Sequence, residues 1–287
     1  MTRILRAALT EGPLSLHEHE ELVANEAAGA VGFDDDWLKY NQVNVEGTRN
    51  LILAAKAASV RRFVHVSSIV AVGASDEPRI LDESATWNLA SLHVPYVTTK
   101  RWAEDAALAA NGGGMDVIIV NPASVIGPDD FSESEFGQLC RRFWKGRIPI
   151  HFGGGNNYVD VRDVAIGIRL SLENGRPGER YLLAGENRTH HAFFADLCKA
   201  ARRTIPRVRL PLWVARFASM LSDWTHRKPG KRPYLTATQV AILGKHFFFT
   251  NAKAKRELGF HARPLMSSLF DSHAFWMQPS ASRKQCA

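Results

Sequence analysis

Along the central part of the chain, two hydrophobic periods alternate. Arg62-Phe63-Val64-His65-Val66-Ser67 and Asp116-Val117-Ile118-Ile119-Val120-Asn121 are short runs of β-branched and aromatic residues and read as strands. The second is an unbroken apolar run of the kind found in sheets covered on both faces. Elsewhere the apolar positions fall at three- and four-residue steps. Leu38, Asn41, Val45, Thr48, Ile52 and Ala55 make one such stripe and predict a helix over 37–58, with Asp34-Asp35-Asp36 as cap and first turn. The same spacing predicts a helix over 96–110, stopped by Asn111-Gly112-Gly113-Gly114. Strand, helix, strand in that order predicts a right-handed βαβ unit.

The rhythm loosens downstream. A helix is expected over 137–145, a glycine loop over 152–157, and a helix entered through 158–165 with Asp163 near its start. A strand over 179–185 follows, then amphipathic helices over 190–203 and 210–224, a strand at 247–250 and a helix at 253–258. Residues 22–26 are a poor, partly polar strand candidate, and 279–287 read as a disordered tail. This division gives an α/β nucleotide-binding core over 1–150 and a smaller lobe with returning core elements over 151–278.

Composition narrows the class. No run of about 18 apolar residues occurs, so no membrane span is expected. Three scattered cysteines, Cys140, Cys198 and Cys286, argue against a disulfide framework and for a reducing, cytoplasmic setting. The formal net charge of +7 is dispersed, and its one cluster, His226-Arg227-Lys228-Pro229-Gly230-Lys231-Arg232, reads as a solvated loop, so nucleic acid is not expected as a partner. His17-Glu18-His19-Glu20 would spread over different helix faces, and no metal site is expected.

The chemistry lies where these patterns meet. The first strand delivers Ser67 and Ser68 at its end, and Tyr96 and Lys100 stand four residues apart at a helix start, hence on one face. A phenol titrates near ~10, and an ammonium one turn away is expected to lower that value. Ser68 can hold a carbonyl or alcohol oxygen beside the phenol, while hydride transfer requires a nicotinamide. Tyr-x-x-x-Lys alone is a weak pattern. It gains weight from the serine strand before it and from the strand ending in Asn121-Pro122 after it. Asn44, inside a helix with Gly47 three residues on, is locally unfavourable and invites a functional role.

These motifs resemble the extended short-chain dehydrogenase/reductases of the NAD-dependent epimerase/dehydratase group, in the dihydroflavonol 4-reductase-like and hopanoid-associated sugar epimerase branch. The likeness is carried by Asn44-Val45-Glu46-Gly47-Thr48-Arg49-Asn50, Val66-Ser67-Ser68, Tyr96 with Lys100, Asn121-Pro122-Ala123-Ser124-Val125-Ile126-Gly127-Pro128, residues 158–165 and residues 253–260. The resemblance implies a Rossmann-type doubly wound parallel sheet, NAD or NADP as cofactor, a small-molecule substrate, and a homodimer formed through the two long helices. By it Tyr96 is the general acid/base, Lys100 its partner and ribose ligand, Ser68 the substrate-orienting residue and Asn44 a supporting one. Ser67 and the backbone of Pro122, Ala123 and Ser124 face the cofactor, and Ala28 and Gly29 pass near its adenosine half. The chain departs from the family in having no G-x-x-G-x-x-G turn for the pyrophosphate. The sheet is therefore expected to be N-terminally truncated and cofactor binding weakened. The alternative this raises is a non-catalytic binding or scaffold protein of the same fold.

Overall fold

In a computed structural model of the chain, the described residues are 21–22, 32, 35–131, 134–146, 150–151, 153–204, 208–209, 214 and 237–278. In chain order the elements are β1 (Glu21–Leu22), α1 (Trp37–Tyr40), a π-helical segment (Asn41–Glu46), α2 (Gly47–Ala57), β2 (Arg62–Val66), β3 (Ile80–Leu81), α3 (Pro95–Ala109), β4 (Asp116–Pro122), β5 (Ser124–Ile126) and α4 (Glu135–Trp144). There follow β6 (Ile150–His151), β7 (Gly155–Asp160), α5 (Val161–Asn174), β8 (Arg180–Leu183), β9 (Glu186–Thr189), α6 (His190–Ala200), β10 (Val208–Arg209), α7 (Ala237–Leu243), β11 (His246–Phe249), α8 (Ala252–Leu258) and α9 (Leu265–Met277).

The first sheet has the order β1-β2-β4-β8, every neighbour pair parallel. Its strands are apolar on both sides because both faces are covered. Phe63, Val117 and Ile119 pack with Ile52, Ala55 and Ala107 of α2 and α3. Val64, Val66, Ile118, Val120 and Leu182 pack with Val164, Ile168 and Leu172 of α5 on the other face. Each such fully buried side chain contributes roughly 1.5–3 kcal/mol. The expected βαβ unit is β2-α3-β4.

A second sheet runs β3-β11-β7-β5, with β9 antiparallel on β7. A separate aromatic cluster, including Phe143, Trp144, Tyr158, Phe193, Phe275 and Trp276, joins α4, α6 and α9 over β7. The chain passes from β8 to β9 through Gly185, where a Cβ would collide with the Tyr158 carbonyl oxygen.

Several expectations are corrected. The helix over 37–58 is interrupted by the π-helical segment, where Gly47 N–H bonds the Gln42 carbonyl. The longer turn shifts the inward face, so the buried set is Tyr40, Asn44, Val45, Thr48, Ile52 and Ala55, while Leu38 is 69% exposed. The glycine loop at 152–157 gives way to β7 from Gly155 onward: Gly155 lacks room for a side chain beside Phe248 and the Arg188 carbonyl, and the backbone pairs on both edges instead. β3, β5, β9 and α9 were not legible as elements in the sequence. The predicted helix at 210–224 and the tail at 279–287 lie outside the described residues, except for helical Val214.

Candidate active site

β2 ends against β4, with Ser67 N–H donating to the Val120 carbonyl at 2.8 Å as the last ladder bond. Ser68 follows in extended conformation and caps a 3-10 turn over Ile69–Ala71, its hydroxyl accepting from Val70 N–H at 3.4 Å. α3 begins at Pro95, a residue suited to a first helical turn because it lacks the N–H that would go unpaired there. That start turns the Tyr96 phenol toward the Ser68 side chain, near enough for the hydroxyl to favour the phenolate. Both residues are half-buried, at the C-terminal edge of the parallel sheet, where α/β folds bind their ligands.

Burial is the largest influence on Tyr96 and pushes its pKa above the ordinary phenol value; the Ser68 hydrogen bond opposes that rise. The net direction is the reverse of the lowering expected from an ammonium one turn away. Lys100 lies on the same helix face and is buried. Its charge reaches the ring of His65, which burial first and Lys100 second hold neutral, with a pKa lowered to about 3. Neither ring nitrogen of His65 has a hydrogen-bond partner among the described residues.

Asn44 is fully buried in the π-helical segment and donates from Nδ2 to Thr99 Oγ1 at 3.0 Å. Thr99 in turn donates to the Pro95 carbonyl at 2.8 Å, and Thr48 donates to the Asn44 carbonyl at 2.6 Å. Asn44 thus braces the first turn of α3, the turn that carries Tyr96, and the Tyr40 ring stands 6.3 Å from the Tyr96 ring. Pro122 and Ala123 are buried at the end of β4, and the Ser124 hydroxyl accepts from Asn156 Nδ2 at 2.7 Å. The Ser67 hydroxyl is buried beside the Glu104 carboxylate, whose charged form it favours.

The structure therefore brings together Asn44, Ser67, Ser68, Tyr96, Lys100 and the 122–124 turn around one sheet edge. Ala28 and Gly29 lie outside the described residues. Sequence reasoning missed Thr99, His65 and the buried pair Glu104–Arg180. Glu104 had a signal: it continues the Tyr96, Lys100 spacing by four more residues on the same face. Among the described residues no group of three metal-ligating side chains gathers, and no helix is long and apolar enough to cross a membrane.

Residues 15–184 match the family described as "NAD dependent epimerase/dehydratase family". A Synechocystis protein provisionally named dihydroflavonol 4-reductase is 31% identical over 239 residues, 82% of this chain and 69% of its own length. Sterol demethylase protein B of Methylococcus capsulatus is 30% identical over 249 residues, 85% of this chain and 75% of its own. The crystal structure of gox2253 superposes with a TM-score of 0.76 at 33% identity, covering 87% of this chain and 76% of that one. UDP-glucuronic acid 4-epimerase from Bacillus cereus, solved with NAD, shares the fold at TM-score 0.66 and 17% identity, over 86% of this chain and 72% of that one.

Proposed function

Because the chain belongs to the NAD-dependent epimerase/dehydratase family, we propose that it is an oxidoreductase or epimerase working on a hydroxyl or carbonyl group through Ser68, Tyr96 and Lys100. The observation that carries this reading is the Tyr96 phenol facing the Ser68 side chain at the sheet edge, with Lys100 one turn along the same helix face. The substrate is a small or medium-sized molecule, and the cofactor NAD or NADP.

The residues fit the nicotinamide half of such a cofactor. Ser67 and the end of β4 at Pro122 and Ala123 lie at the sheet edge where it would rest, and Lys100 carries donors for a ribose. Ala28 and Gly29 are assigned to the adenosine half on the family pattern alone. The bound cofactor supplies hydride transfer, which side chains cannot perform.

The chain's own residues supply the proton work. Ser68 donates a hydrogen bond to the substrate oxygen and fixes it beside Tyr96. Burial holds Tyr96 protonated in the free protein, so its O–H is ready to donate to a carbonyl oxygen during reduction. In the oxidative direction the same oxygen takes the alcohol proton. Asn44, through Thr99, keeps the first turn of α3 in place. The second sheet and the aromatic cluster around Tyr158 and Phe193 form the substrate lobe, and the helix faces bearing Trp37, Leu38 and Trp102 pair two copies of the chain.

The test is a panel of ketones, aldehydes and nucleotide sugars assayed with NAD(H) and NADP(H). Tyr96→Phe is expected to lower turnover about 10²–10⁴-fold while leaving cofactor binding by calorimetry within a few-fold. No nicotinamide binding and no Tyr96-dependent turnover in wild type would favour the scaffold alternative.

A further inference from the structure

The helix that carries Tyr96 also carries a tether to the serine turn. Tyr96, Lys100 and Glu104 are spaced i, i+4, i+8 and form one stripe on α3. Glu104 is fully buried, and Arg180 at the start of β8 pairs with its Oε1. Its other oxygen, Oε2, accepts from Asn121 Nδ2 at 2.6 Å, and the same amide nitrogen donates to the Ser68 carbonyl at 3.0 Å. The β2–β4 ladder ends one residue earlier, at Ser67. The Asn121 side chain therefore continues the pairing where the two backbones part. A second contact from α3 reaches the same turn, Arg101 Nη1 to the Ala71 carbonyl at 3.2 Å.

A buried carboxylate with a single ion-pair partner is costly to keep, and replacing such pairs by apolar side chains is often neutral for stability. Its place here is better explained by position. An amide nitrogen has two hydrogens, and at Asn121 one is spent on Glu104 and the other on Ser68, so the orientation of the amide is set by the carboxylate. We propose that Glu104 and Asn121 are positioning residues that lock the Ser68 turn to α3, so that the Ser68 hydroxyl meets the Tyr96 phenol. This rests on the Ser68–Tyr96 site proposed above, and extends it to residues that touch neither substrate nor cofactor.

The site can be read without substrate or cofactor. In protein labelled with 3-fluorotyrosine, whose phenol is more acidic than that of tyrosine, the Tyr96 fluorine resonance is identified by its loss in Tyr96→Phe and titrated by NMR. Ser68→Ala removes the bond that opposes the upward push of burial, and the Tyr96 midpoint is expected to rise by about one pH unit. Asn121→Leu is expected to raise it by a similar amount, and the double variant by no more than either alone. Glu104→Gln, which can still accept from Asn121, is expected to shift it less than Asn121→Leu. Should Asn121→Leu fail to fold, the pair Glu104→Ala with Arg180→Met removes the anchor without leaving a lone buried charge.

The outcomes separate. A midpoint moved by Ser68→Ala but unchanged in the folded Asn121 and Glu104 variants overturns the tether alone. A midpoint insensitive to Ser68→Ala overturns the Ser68–Tyr96 site and the tether with it. Thermal stability measured alongside distinguishes positioning from packing: a merely structural role lowers the melting temperature without moving Tyr96.

Discussion

His65 sits in the strand that delivers the two serines, fully buried, with the Lys100 charge beside it. Its folded pKa of about 3 lies below the 6.5 of an exposed ring. Between those values the unfolded chain binds the extra proton, so stability rises with pH there. The contribution is complete above pH 6.5 and is lost as pH falls toward 3. Between about pH 6 and 5, where exposed carboxylates remain ionised, wild type is expected to lose about 1 kcal/mol more than His65→Leu, measured by urea unfolding. Asn44 gives a second residue-scale prediction. Asn44→Leu removes the donor to Thr99 and is expected to cost about 1–3 kcal/mol by the same measurement. It is also expected to lower turnover, since the first turn of α3 loses its brace. The residues touching the proposed chemistry were legible because their relation is local: a serine at a strand end, and a phenol and an ammonium one helical turn apart. Thr99 and Arg180 were not, because their roles come from partners 55 and 76 positions away (Asn44 and Glu104), and no short spacing encodes such contacts; the spacing of Glu104 puts it on the face of Tyr96 and Lys100 but says nothing of its bond to Asn121.

At the scale of elements, the strands and helices with a single clear period came out within one or two residues: β2, α3 and β4 hardly differ from the runs that predict them. The helix before β2 shows what a period misses. A stripe drawn at 3.6 residues per turn puts Leu38 inside; the π-helical segment turns Tyr40 and Asn44 inward in its place. Gly155 to Asn157 failed for another reason. Their polar and glycine character reads as loop, yet the backbones of Gly155 and Asn156 pair with β11 and β9, Asn157 pairs with β9, and the Asn157 side chain bonds Asn187 at 2.7 Å. The correction to α1 has a consequence for assembly. Leu38 is turned outward beside Trp37, whose ring lies 6.2 Å from Trp102 of α3, forming an apolar patch shared by the two helices. If two copies pair here as proposed, Leu38→Glu with Trp102→Glu is expected to convert a dimer to a monomer in light scattering, with the fold unchanged by circular dichroism. A wild-type monomer at the same micromolar concentration excludes the homodimer.

For the whole molecule, what matters is how the C-terminal segment is fastened to the parallel sheet and its aromatic neighbour. Arg162, at the start of α5, joins two carboxylates: it donates to Asp160 at 2.8 and 2.7 Å and to Asp271 of α9 at 2.7 Å. Asp160 has a fully buried side chain, and its hydrogen bonds hold its carboxyl below the usual range despite burial. Arg263 closes the group through Asp163 at 2.8 Å. α9 thereby lays Phe275 and Trp276 into the aromatic cluster, against residues that the sequence places more than a hundred positions earlier. Removing the Arg162 side chain leaves Asp160 buried with the backbone N–H of residue 162 at 2.8 Å and the 3.9 Å approach of Arg263 as the one remaining cation among the described residues, whereas removing Arg169, whose pair with Glu173 is exposed on both sides, leaves nothing buried. Arg162→Met is accordingly expected to cost about 2 kcal/mol and Arg169→Met about 0–1 kcal/mol. Hydrogen exchange should locate the difference, with Arg162→Met loosening amides of α9 while those of β4 keep their protection. Equal costs for the two variants, or loss of protection spread evenly over both sheets, would show that α9 is held by its aromatic packing and not by this ionic group.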